Sequence, residues 1–139
     1  MTMMTAVIPR FVPAKPVTLA DIPRLDPAAF RGEILGQVAQ GARIVALFGH
    51  PQDGGMVRLY GVLAHDEAST LSLLTADVRD EYPALTPDCP QAHWFEREIA
   101  EQWGVVPLGH PWLKPIRFHR SYLAGRDAWA RPATEAIEP

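Results

Sequence analysis

Between Ala92 and Arg117 the chain carries Glu96, Arg97, Glu98 and Glu101 in one run, then His110, Lys114 and Arg117, with Trp94 and Trp103 among them. Side chains of these types can do three kinds of chemistry. A carboxylate on an apolar face can become a perturbed acid with a catalytic task. An imidazole held in place, as His110 is by the Pro111 that follows it, can serve as a general base. Cys89 and His93 are four residues apart near a helix start, and with His110 or His119 as a third ligand they could hold zinc in a small zinc-dependent enzyme.

Each reading has a structural counterpart. A buried Glu96 can be half of an ion pair that fixes the path of the chain, with Arg117 and Lys114 as its candidate cations. His110 can be an imidazole hydrogen-bonded to backbone or to Glu98, since no serine or cysteine in an activated-nucleophile context lies beside it. The zinc reading lacks both a Cys-x-x-Cys pair and a His-Glu-x-x-His helix. Gly-rich phosphate loops, the Gly-x-Ser-x-Gly elbow, and flavin and nicotinamide fingerprints are absent.

The elements that must position these groups are legible in outline. Asp26-Pro27 supplies an N-cap and a first-turn proline, Phe30, Ile34 and Val38 with Leu35 form an apolar stripe, and Gly41 stops the helix. Ala42 to Gly49, Met56 to Ala64 and Thr70 to Ala76 are predicted as strands, joined by turns at His50–Gly55 and Asp66–Ser69, which makes an antiparallel meander. Val57, Leu59 and Leu63 share one face of the second strand, and Leu71 and Leu73 are assigned inward on the third. Arg79 to Cys89 is an irregular connection. A second helix starts around Pro90 and ends at Trp103 with Gly104 as its cap, and Ile116 to His119 could add a short strand. The fold class expected is α+β: two layers, a mainly antiparallel sheet with helices packed on one face.

An advance of roughly 100° per residue puts Ala92, Phe95, Ile99 and Trp103 on one arc of the second helix, the core face. His93, Arg97 and Glu101 fall opposite, on a solvent or partner face. Glu96 lands inside the apolar arc and needs a cation or several donors. Trp94 points away from the core stripe, which suggests contact with another chain or cover for a sheet edge.

The chain has 139 residues, 47% of them hydrophobic and 21% charged, and a formal net charge of -3. That allows one domain with one core. No basic tract tracks a phosphate backbone, so nucleic-acid binding is not expected. The single cysteine, Cys89, excludes a disulfide within the chain and favours a reducing compartment. The first residues lack a signal-peptide pattern, and no apolar stretch approaches the ~20 residues of a membrane helix, so no direct bilayer insertion is expected. Prolines crowd both ends. Three parts are expected: an extended lead over 1–25, a domain over 26–120 and a tail over 121–139. The ends are either frayed or arms that order on a partner.

Glu96-Arg-Glu-Ile-Ala-Glu-Gln-Trp-Gly, followed by His110-Pro-x-x-Lys114-Pro-Ile-Arg117, resembles the signature of the 30 kDa subunit of respiratory complex I, an NADH dehydrogenase. It is still more similar to component G of Ni,Fe-hydrogenase III, from the group 4 membrane-bound hydrogenases, and Tyr82-Pro-Ala-Leu-Thr and Ala92-His-Trp-Phe add to that likeness. The resemblance covers most of residues 20–120. It implies an accessory subunit of an oxidoreductase complex, with no cofactor, metal or catalytic residue of its own; the alternatives are the small zinc-dependent enzyme and a free-standing adaptor that keeps the same fold outside a complex. It also implies a place in the cytoplasmic peripheral arm of a membrane-bound electron-transport complex, docked on a large subunit that is 49 kDa-like or of nickel–iron type. Trp94, Glu96, Arg97, Glu98, Glu101, His110, Pro111, Lys114 and Arg117 then stand as structural or interface positions.

Overall fold

The first helix begins where its cap chemistry puts it. In the computed structural model the Asp26 carboxylate accepts the Ala29 amide at 2.9 Å, Pro27 opens the helix, and α1 runs over Pro27–Ala39. Phe30 and Ile34 are fully buried, and Leu35 and Val38 pack against the same core from half-buried positions. Residues 7–135, 137 and 139 are described; the first six residues of the lead, and Ala136 and Glu138 of the tail, lie outside the described residues.

Two short strands in the lead, β1 (Arg10–Phe11) and β2 (Arg24–Leu25), precede α1, and a meander of β3 (Arg43–Pro51), β4 (Val57–His65) and β5 (Thr70–Val78) follows it. The order across the sheet is β1-β5-β4-β3, with β2 pairing parallel to the same edge of β5 as β1, at Thr75 and Ala76. Among its described residues, from Val7 on, the proline-rich lead is stitched to the sheet edge, its prolines falling around two-residue edge strands where a missing N–H is tolerated. The third strand carries one correction. Leu71 and Leu73 do not point inward; Ser72, Leu74, Ala76 and Val78 do. Directly paired residues share a face, and the pairs Leu63↔Ser72, Gly61↔Leu74, Leu59↔Ala76 and Val57↔Val78 fix the phase.

Both helices lie on this face. A Cβ at Gly61 would sit 3.2 Å from Ile34, and one at Gly49 would sit 2.7 Å from the Trp103 ring, so each glycine lets a helix approach the sheet. The first belongs to α1 and the second to α2 (His93–Trp103), which follows a short 3₁₀ turn at Pro90–Ala92. Gly104 closes α2 in the left-handed region, φ 66°. The molecule is α+β with a mainly antiparallel sheet.

The opposite sheet face is open. Phe48 stacks on Tyr60 at 5.2 Å, and Arg58 grips Asp77 at 2.7 and 3.1 Å. Two further strands were not foreseen. β6 (Glu81–Pro83) lies in the segment read as irregular, and it pairs parallel with β7 (Val106–Leu108). Ile116 to His119 does not form a strand; its amides are turned onto a helix side chain instead.

Candidate functional site

The charged run of α2 sits between two loops, and its side chains hold both. Glu96 is fully buried, as its place in the apolar arc predicts. Its partner is not a cation. The Leu85 amide donates to both carboxylate oxygens, at 3.0 and 2.9 Å, the Thr86 amide to Oε1 at 2.8 Å, and the Thr86 hydroxyl to the same oxygen at 2.6 Å. Converging donors do what Arg117 or Lys114 was expected to do, and the negative charge is satisfied by dipoles. Arg117 turns outward to Glu98, and the Lys114 ammonium lies over the Trp112 ring at 4.9 Å.

Arg97 and Glu101 hold the other loop. They were placed on a solvent or partner face, yet they are 4% and 1% exposed. The chain's own segment beyond His110 covers them. Arg97 donates to the carbonyls of Lys114 at 2.8 Å and Pro115 at 2.9 Å. Glu101 accepts the successive amides of Ile116, Arg117 and Phe118 at 2.8, 2.8 and 3.2 Å, a nest of N–H groups around one carboxylate. Phe118 takes φ 57° to complete it. The His119 imidazole stands 3.8 Å from the same carboxylate.

His110 is engaged at both nitrogens. Nδ1 accepts the Trp112 amide at 3.1 Å, so the proton sits on Nε2, which donates to the His93 carbonyl at 3.2 Å. That is the backbone-bonded imidazole of the structural reading; Glu98 is not its partner. A ring used at both ends is a poor general base. Of the zinc candidates, the structure brings the His93 and His110 rings to 5.0 Å, and His119 joins Glu101 instead. Cys89 is buried; burial first, and then the nearby Glu96 charge, push its thiol pKa up, the reverse of what a thiolate ligand needs. Among the described residues no three His, Cys, Asp or Glu side chains are grouped to hold a metal ion. Burial first, then the neighbouring His110 and Arg97, lower the pKa of His93, opposed by Glu96. Burial, and then the Glu96 carboxylate, drive the Tyr82 phenol well above its usual range.

Several residues that complete the site were missed. Leu85 acts through its backbone and Thr86 through both its amide and its hydroxyl, and Arg31 of α1 braces their loop through the Ala84 carbonyl at 2.8 Å and through Asp88. The proline-flanked Tyr82-Pro-Ala-Leu-Thr stretch was the available sign. The Arg97 guanidinium carbon stands over the Trp112 ring and over the Trp94 ring, 4.9 Å from each centroid. Arg126, far along the tail, bonds the Gly55 carbonyl at 2.6 Å and folds the tail back onto the hairpin.

Fold and clasps together define an α+β domain whose charged helix organises its own loops. The model of the family described as respiratory-chain NADH dehydrogenase, 30 Kd subunit, matches residues 37–129, more than half of the chain. The chain belongs to that family, one of subunits of multisubunit oxidoreductases. It is 35% identical over 79 residues to formate hydrogenlyase subunit 5 of Escherichia coli, covering 52% of this chain and 14% of the relative. It is 48% identical over 40 residues to hydrogenase-4 component G of Escherichia coli, 29% of this chain and 7% of the relative. It is 43% identical over 37 residues to the C subunit of the NADH-quinone oxidoreductase of Ruegeria pomeroyi, 27% of this chain and 18% of the relative. The matches span less than a fifth of each of these relatives' lengths.

Proposed function

We propose that the chain is a structural and assembly subunit of a membrane-associated redox complex of hydrogenase or NADH dehydrogenase type, docked on its large subunit on the cytoplasmic side and performing no chemistry itself. The observation that carries this reading is how the charged motif is used. Glu96, Arg97, Glu101 and His110 direct their hydrogen-bonding capacity to the chain's own backbone. They set the shape of two loops, and they leave Trp94, Lys114 and Arg117 on the outside, beside Pro111 and Glu98. In formate hydrogenlyase subunit 5 the similar stretch is a small part of a much longer chain, which supports a partner of that kind. Among the described residues no helix is long and apolar enough to cross a membrane, so the reading places the chain at the periphery of the complex.

Co-expression with a large subunit of this type tests it. The expected outcome is a stoichiometric complex that survives size-exclusion chromatography. Elution of the two chains apart at micromolar concentration would contradict the reading.

A further inference from the structure

Arg97 and Lys114 are among the cations that meet no carboxylate among the described residues, as are Arg10, Lys15, Arg79 and Arg120, but they alone of these stand over indole rings. Arg97 is also buried, 4% exposed, and its Nη1 has no hydrogen-bond partner although Nε and Nη2 are engaged. Its guanidinium carbon stands 4.9 Å from the rings of both Trp94 and Trp112, and the Lys114 ammonium stands 4.9 Å from Trp112. Two cations therefore share one indole, and the two indoles are 62% and 51% exposed. The His93 ring lies beside Trp112 at 5.9 Å and adds no negative charge.

A buried guanidinium that meets carbonyls but no carboxylate, with two wet indoles each 4.9 Å away, is a costly arrangement for a free surface and a favourable one under a partner. Tryptophan and arginine concentrate where interfaces are anchored. The patch is positive on a chain whose net charge is -3. A second copy meeting it across a two-fold axis would oppose like charges. The complementary occupant is an acidic one.

We propose that Trp94, Arg97, Trp112 and Lys114 form the docking surface for a carboxylate-bearing segment of the large subunit, an aspartate or glutamate flanked by flat apolar side chains. The carboxylate pairs with the exposed Lys114 within the positive field of the buried Arg97, and the apolar neighbours cover the indoles. The proposal rests on the docking reading above and names its surface.

The test measures association of the full-length chain with the purified large subunit across a salt series. The variants are Trp112→Ala, Lys114→Glu and Lys114→Arg, with Phe48→Ala on the open sheet face as control. Lys114 is exposed, so its substitution leaves the fold in place even where Trp112→Ala loosens the loop. Trp112→Ala is expected to weaken binding about tenfold or more, mainly through faster dissociation. Lys114→Glu should slow association and flatten its salt dependence, and Lys114→Arg should restore both. Wild-type binding with unchanged constants in Trp112→Ala and Lys114→Glu would overturn this surface and leave the docking reading intact. Failure of the wild-type chain to bind would overturn both. Self-association lost in Trp112→Ala would assign the patch to a second copy and overturn the acidic occupant.

Discussion

Glu96 and Glu101 are carboxylates buried without a cation in direct contact, and each is held by amides from a loop distant in sequence. Removing either side chain leaves buried N–H groups unsatisfied, which costs roughly 1–3 kcal/mol per group. Glu96→Ala and Glu101→Ala are each expected to lower stability by about 3 kcal/mol. A denaturant midpoint within error of the parent would contradict the clasps. The sequence showed that Glu96 had to be buried and satisfied. It did not show by what, because backbone donors carry no residue signature. It misplaced Arg97 and Glu101 for a related reason: a helical wheel places residues relative to the sheet and is silent about a later segment crossing the far side.

Imidazoles give a pH signature at the same scale. His65 is half-buried, bonded to Ser72 at 2.8 Å, and its burial and then the Arg10 charge hold its pKa below 6.5, opposed by Asp66. His93 is shifted the same way. A lowered folded pKa means that the unfolded chain binds more protons as pH falls through the ordinary imidazole value. Stability is then full above that value and is lost below it. Urea midpoints should fall between about pH 7 and about pH 5.5, and the fall should shrink in His65→Gln. A flat or rising profile toward acid would contradict the burial of these rings.

Among the elements, α1, the meander and α2 were legible because each carries its own punctuation: Asp26-Pro27 and Gly41, Asp53-Gly54, and Gly104. The phase of β5 was not, since leucines at 71, 73 and 74 fit either face and only pairing with β4 decides. β6 and β7 were missed because each is three residues long, contains proline, and forms only by meeting the other across α2. Gly49 shows what the helix layer demands of the sheet. A methyl there would come within 2.7 Å of the Trp103 ring and 2.9 Å of the fully buried Val57. Gly49→Ala is expected to cost about 2 kcal/mol, the range for overpacking. A thermal midpoint equal to the parent's would show that α2 is not seated on β3 in this way.

For the molecule as a whole, what the charged motif builds is a shape. Two clasps fix the loops on either side of α2, and the tail folds back through Leu123 and Arg126 rather than leaving the domain at once. Trp94 remains outside, so Trp94→Ala should spare the thermal midpoint and weaken assembly with the large subunit. Equal loss of both would place that ring in the core. The central claim is that this polypeptide shapes and docks while the electrons move through its neighbour. Metal analysis, the visible spectrum and hydrogenase and quinone-reductase assays on the purified, folded chain test it most directly. The account predicts no stoichiometric metal, no flavin or iron–sulfur absorbance and no turnover. A redox centre bound one to one, or measurable activity from this chain alone, would contradict it.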